Sequence, residues 1–278
     1  TSPPKPMTVI GFYALGDSKT SSWQNLFGMA YPQTDKGNTD VISELALGWY
    51  SLDAEGNLLT RSTTGWQRPA GWEKVLAAAA EYRLKPEMAV HLTNKDGVIS
   101  NLLSNQVAAN RAVSDITAEA GQYRGVNLDL EGLGWQIEGE QLTAVRNSYT
   151  RFMRLLAEKL HAANLTLTLT LHAPNSAYKG YDYQALGQAA DRIIIMAYDY
   201  GTRPEPVNLV TQAVVKAREV VPPEKLILGI SAPSETADSI HTKVGIAKRY
   251  NLDGIALWRL GLVNNEMWHT LRNTVRPR

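Results

Sequence analysis

Eight short β-rich runs alternating with stretches of helical spacing constrain this chain more than any other feature. The runs are TVIGFYAL (8–15), VISELALGWYSL (41–52), PEMAVHL (86–92), RGVNLDLE (124–131), LTLTLTLH (165–172), RIIIMAYDY (192–200), KLILGISAP (225–233) and GIALWRLG (254–261). Between the fourth and fifth, Val145, Tyr149, Phe152, Leu156 and Leu160 recur at helical spacing, and Asn164 offers a C-terminal cap. Helical signals also lie in GWEKVLAAAAEYR, SNQVAANRAVSDITAEA, LVTQAVVKAREV and SIHTKVGIAKRY. Connections of this length require parallel strands with crossover helices, and eight such units can close into a barrel that leaves no sheet edge. An open doubly wound sheet is the competing arrangement. No G-x-G-x-x-G or G-x-x-x-x-G-K-[ST] follows any run, so the phosphate cradles of such sheets are missing. The expected fold is therefore a single α/β domain, a (β/α)8 TIM barrel, and 278 residues suit it.

We expect the barrel over residues 8–278 and read residues 1–7, with the Pro-rich start TSPPKP, as a linker. The stretch SLDAEGNLLTRSTTGWQRPAG reads as a surface excursion after strand two. A balance of 28 Lys+Arg against 27 Asp+Glu implies no nucleic-acid partner, and no apolar run approaches a membrane span. Zero cysteines exclude disulfides and thiol nucleophiles but leave the compartment open.

Barrel active sites gather at the carboxyl ends of the strands. Those ends carry Tyr13, Trp49, Tyr50, Thr93, Asn94, Asp129, Glu131, His172, Tyr198, Asp199 and Trp258. In GVNLDLEG, strand alternation puts Asn127, Asp129 and Glu131 on one face and Val126, Leu128 and Leu130 on the other. Asp129 should raise the pKa of Glu131 by like-charge repulsion, keeping a proton on one of the pair for use as an acid. The plainer reading is a polar cluster without chemistry. A metal site is disfavoured because no H-x-x-x-H or H-E-x-x-H spacing accompanies the carboxylates. Neighbours two apart on one strand approach a substrate from the same side. A glycosidase would then need either Asp199 or the substrate's own acetamido group as its nucleophile.

RGVNLDLEG resembles the D-G-x-D-x-D-x-E signature on the fourth strand of glycoside hydrolase family 18, the chitinase family. IIMAYDYG resembles its sixth-strand M-x-Y-D, KLILGISAP its seventh strand, and GIALWRLG its final Trp-bearing strand, all in order. The resemblance implies a retaining, substrate-assisted hydrolase of β-1,4 bonds to N-acetylglucosamine. Glu131 would be the proton donor, Asp129 would orient the acetamido group, and Tyr198 would hydrogen-bond its oxygen. Asn127, Asp199 and Trp258 would line the sugar site, with Tyr13, Trp49, Asn94 and Trp135 as further candidate glycan contacts. His172 receives no chemical role, and no cofactor or metal is expected.

Arg124 and Asn127 depart from the signature by replacing its first two Asp residues. Asn127 gives the chain the G-V-N-[IL]-D-x-E form of the bacterial branch related to spore-cortex and peptidoglycan N-acetylglucosaminidases. VISELALGWYSLDAEGNL and YRLKPEMAVHLTN resemble that branch too. Only SETADSIHTKVGIAKRYNLD separates strands seven and eight, so the family's α+β insertion domain should be absent and the cleft a shallow groove. The expected partner is a polysaccharide, peptidoglycan or chitin, met by a monomer outside the cell, at the wall or spore. A chitinase is the alternative within the same chemistry, and a non-catalytic glycan-binding barrel the alternative outside it.

Overall fold

Each of the eight runs is a strand in the computed structural model, which describes residues 5–14 and 16–278. Residues 1–4 of the expected linker, and Leu15 of the first run, lie outside the described residues. The strands are β1 (Pro6–Tyr13), β2 (Glu44–Leu52), β3 (Lys85–Thr93), β4 (Gly125–Glu131), β5 (Thr166–His172), β6 (Arg192–Met196), β7 (Leu226–Ser231) and β8 (Gly254–Trp258). All pair in parallel with their sequence neighbours, and β1 closes the ring by pairing with both β2 and β8. Two-residue strands at Leu58–Leu59 and Arg276–Pro277 only decorate β2 and β1.

Nine helices cover the ring among the described residues: α1 (Ser22–Phe27), α2 (Trp72–Glu81), α3 (Val98–Ser104), α4 (Gln106–Ala120), α5 (Gly139–Ala162), α6 (Tyr183–Ala189), α7 (Val207–Arg218), α8 (Ala237–Arg249) and α9 (Asn265–Thr274). In α5 the residues Tyr149, Phe152, Leu156 and Leu160 are buried, as their spacing predicts. Asn164 then takes the left-handed conformation (φ 58°) that lets the chain turn into β5. Between β7 and β8 only a short helical turn and α8 intervene, so there is no α+β insertion, and a TIM barrel occupies the chain.

Strand alternation divides the core in two. Inward-facing Ile10, Phe12, Ala46, Ala89, Ile194, Ile227 and Ala256 fill the middle of the barrel, while a larger layer including Leu45, Met88, Val126, Leu128 and Leu169 faces the helices. Full burial of each large apolar side chain contributes about 1.5–3 kcal/mol, which ties strand order to helix docking.

The amino end of the barrel is closed by charge. Arg192 donates to both Glu44 carboxylate oxygens at 2.7 and 3.1 Å, and its guanidinium lies 3.1 Å from Glu87, whose other partner is Thr168 at 2.7 Å. Arg124 also pairs with Glu44. Arg124, one of the two residues that depart from the family signature, is therefore part of this ionic floor at the amino end of β4, while Asn127, Asp129 and Glu131 face inward and climb the same strand toward the carboxyl-end rim.

Candidate active site

Parallel register places His91 of β3 beside Asp129, and Thr93 beside Glu131. Asn127 and Asp129 are buried, whereas the Glu131 side chain reaches a cavity of about 470 Å³. Thr170 of β5 donates to Asn127 Oδ1 at 2.7 Å, so the amide that replaces a family Asp is held from the neighbouring strand. His91 Nε2 lies 2.9 Å from Glu131 Oε2.

Burial, then the charge and hydrogen bond of Glu131, push the Asp129 carboxyl well above the ordinary aspartate range. Burial also works to raise Glu131. The His91 hydrogen bond and charge, the hydrogen bond from Asp129, and His172 outweigh it and hold Glu131 below its usual value, the opposite of the rise expected from the sequence, where His91 could not be seen; Asp129 is the carboxyl that is raised. The pair thus shares one proton, resting on Asp129. His91, Asp129 and Glu131 bring one ligand atom each within 4.8 Å of one another, a spacing a cation could use. The His91 to Glu131 contact is itself a hydrogen bond that needs a proton between its atoms, and we read the cluster as proton-sharing.

The loop after β4 is shaped by glycines. Gly132 is left-handed (φ 95°) and its N–H donates to His172 Nε2 at 3.0 Å, so that nitrogen is an acceptor. A Cβ on Gly134 would come within 2.2 Å of the Gly180 nitrogen, so only glycine allows this loop to meet the segment after β5. Tyr181 on that segment donates to the Leu130 carbonyl at 2.6 Å, pinning the end of β4. Burial lowers the proton affinity of His172, and it stacks on Tyr178 at 4.3 Å.

Just beyond β6, Tyr198 and Asp199 line the Glu131 cavity with His172 and Tyr178. Burial, together with Glu131 and Asp129, pushes the Tyr198 phenol well above its ordinary range, so it stays a hydrogen-bond donor. Asp199 adopts φ 62° because buried Glu205 accepts from the backbone N–H groups of Asp199 and Tyr200, each at 3.1 Å. Its side chain is exposed at the rim, and partial burial and Glu205 raise its carboxyl.

The other expected contacts separate. Phe12 and Gly48 face inward, so parity sends Tyr13 and Trp49 outward into the helix layer, where they meet edge to face at 6.0 Å. Trp49 is 1% exposed and its indole N–H donates to the Tyr123 hydroxyl at 3.3 Å. Neither lines the Glu131 cavity, because a strand-end position does not by itself decide which face a side chain takes. Asn94 Oδ1 accepts from the backbone of Ile99 and Ser100 at the start of α3, and the residue lines a second groove of about 680 Å³. Trp135 and Tyr178 belong to both cavities, and Trp135 is 51% exposed between them.

Two further aromatic and imidazole groups enter the mouth. The excursion after β2 carries Trp66 over the barrel, stacked on His91 (4.8 Å, 12°) and on Trp258 (5.1 Å, 20°). A Cβ on Gly48 would lie 2.0 Å from the Trp66 ring, so glycine at that strand position makes the space. One face of Trp258 is thus covered by an indole. Sequence reasoning missed both: strand parity, which puts His91 on one face with Glu87 and Ala89, was the signal that would have found it, and nothing local pointed to Trp66.

A family model described as Glycosyl hydrolases family 18 matches residues 93–234, which include β4, Glu131 and Tyr198. The chain belongs to glycosyl hydrolase family 18. It is a glycoside hydrolase in that sense, and glycans are the substrates of its family. A cortical fragment-lytic enzyme of Bacillus anthracis is 25% identical over 179 residues, covering 55% of this chain and 40% of the relative. The chain thus spans about two-fifths of that relative's length. The spore cortex-lytic enzyme SleL of Bacillus megaterium QM B1551 superimposes with a TM-score of 0.79 at 16% identity, over 100% of this chain and 76% of that one. A chitinase from Chromobacterium violaceum ATCC 12472 gives 0.78 at 19% identity, over 98% and 100%. At these identities the structural likeness carries the barrel fold alone. No helix among the described residues is long and apolar enough to cross a membrane.

Proposed function

We propose that this family 18 barrel hydrolyses β-1,4 bonds next to N-acetylglucosamine in peptidoglycan or spore cortex, with retention, using the substrate's acetamido oxygen as nucleophile. The observation that carries this reading is the Asp129–Glu131 pair, two residues apart on one strand, with Asp129 buried and Glu131 facing the cavity that Tyr198 also lines. A retaining enzyme with a protein nucleophile needs carboxyls about 5–5.5 Å apart that flank the bond. Asp129 and Glu131 both approach from β4, and the remaining cavity carboxylate, Asp199, sits at the rim on a backbone tied to Glu205.

In this reading the shared proton passes through Glu131 to the leaving oxygen as the acetamido oxygen bonds to the anomeric carbon. Asp129, freed of that proton, balances the positive oxazolinium ion. Tyr198 donates to the acetamido oxygen and aligns it, while Asp199 fixes the sugar; Asn127, expected to line the sugar site, is wholly buried and bonded by Thr170, so it lies beneath the pair and not against the sugar. Water then attacks the same carbon, gives its proton to Glu131 and reopens the ring.

Two adjoining cavities that share Trp135 and Tyr178 support an open groove for a polymer rather than a closed pocket for a small molecule. Kinship with a cortical fragment-lytic enzyme favours peptidoglycan over chitin, and with it work outside the cell, at wall or spore. We further take the glycosidase barrel to begin at Pro6, because Pro6 and Met7 of the expected linker already belong to β1 and pair with Arg276–Pro277, and to act as a monomer. The test is reducing-end release from peptidoglycan, spore cortex and chitin oligomers by the native chain and Glu131→Gln. Cleavage of cortex or peptidoglycan with a loss of at least ~10²-fold in the variant is expected. Cleavage of chitin alone would make it a chitinase, and equal glycan binding without cleavage by either protein would make it a binding barrel.

A further inference from the structure

We propose that His91 is a positioning residue for Glu131: clamped flat by Trp66, its ring holds one Glu131 carboxylate oxygen and so sets both the direction of that carboxyl and its readiness to carry a proton. This rests on Glu131 being the acid.

The geometry is specific. His91 points into the barrel from β3, is 8% exposed, and places Nε2 at 2.9 Å from Glu131 Oε2. Trp66 covers its face at an interplanar angle of 12°, and Gly48 is the only residue type that leaves room for that indole. A stacked ring cannot swing about its Cβ without displacing the indole, so the hydrogen bond is made in one orientation. With Glu131 ionised, Nε2–H donates and Nδ1 has no protein partner. Six groups face Glu131 from the elements around it. They are His91 from β3, Asp129 from β4, His172 from β5, Tyr181 from the segment after β5, and Tyr198 and Asp199 beyond β6. Of these, His91 donates a hydrogen bond to the carboxylate from a second strand, and Asp129 supplies the shared proton from the same one. His91 stabilises ionised Glu131, which leaves the resting proton on Asp129 until a glycosidic oxygen competes for it.

Loss of a hydrogen bond to an ionised group should shift its titration upward by about one to two pH units. The experiment compares the native chain with His91→Ala, His91→Gln and Glu131→Gln. Carboxyl titration is followed by NMR of protein labelled with carbon-13 at the Glu side-chain carboxyl, Glu131 being assigned by the signal that Glu131→Gln removes. In His91→Ala the Glu131 titration should move up by about one pH unit or more. In His91→Gln, whose amide N–H reaches the Nε2 position, it should return most of the way to native. Kinetic pH profiles on a fluorogenic β-glycoside of N,N′-diacetylchitobiose, and on cortex, should move alkaline in His91→Ala and recover in His91→Gln. An unmoved Glu131 titration in a folded His91→Ala protein would overturn the proposal, as would a His91→Gln that behaves like His91→Ala. If the titration moves as expected while Glu131→Gln keeps full activity, the acid assignment fails and the coupling of His91 to Glu131 stands.

Discussion

Asp129→Asn separates proton sharing from shape. The amide keeps the planar outline of the side chain and can still donate to Glu131, but it cannot ionise. An unfolded aspartate titrates near pH 3.9, whereas burial and Glu131 keep the proton on folded Asp129 to a much higher pH. The folded state therefore binds this proton more tightly than the unfolded state. Native stability must fall as pH rises above about 3.9, at about 1.4 kcal/mol per pH unit, until Asp129 itself ionises. The variant has no such slope, so its stability advantage over the native chain should widen with each pH unit above about 3.9 for as long as folded Asp129 keeps its proton. Glu131 acts with the opposite sign, adding stability above its unfolded value that is lost as pH falls through its lower folded one. It is present in both proteins and to first order cancels from the difference. Urea unfolding of both proteins at half-unit steps from pH 4 to 6.5 measures the slope. Activity should meanwhile fall about 10²–10³-fold, because the variant cannot become an anion beside developing positive charge. A stability difference independent of pH across that window would show Asp129 ionised in the folded state and would refute proton sharing.

Two other perturbations test the surroundings of the site. Arg192→Ala leaves Glu44 and Glu87 buried without their shared cation, and should cost about 3–5 kcal/mol in urea unfolding; adding Glu44→Gln and Glu87→Gln should recover much of it. Trp135→Ala should leave turnover of a chitobioside unchanged while raising KM for cortex or long glycan about 5–30-fold, the loss of about 1–2 kcal/mol of apolar contact. An unchanged KM on the polymer would remove Trp135 from the groove.

Local periodicity was enough to read the alternation of strand and helix, the inward face of Asn127, Asp129 and Glu131, and the helix through Tyr149, Phe152, Leu156 and Leu160. These patterns repeat every two or every 3.6 residues and are complete within one element. The short helices α1, α3 and α6, of six or seven residues each, carry too few turns to show a face and were not legible in this way. Tyr13 and Trp49 needed the parity of their own strands, which the neighbouring Phe12 and the glycine at position 48 settle only once the barrel closes. The partners that give the site its chemistry lie farther off. Arg124 finds Glu44 across 80 residues, and Glu131 finds His91 across 40. Trp66 reaches Trp258 only because the excursion after β2 folds over a ring whose last strand closes on its first. The sequence alone therefore determined the fold class, the strand that carries the paired carboxylates and the family. Which strand reaches Glu131, and which aromatic covers its neighbour, was decided by barrel closure and parallel register, because those contacts join residues that no local pattern relates.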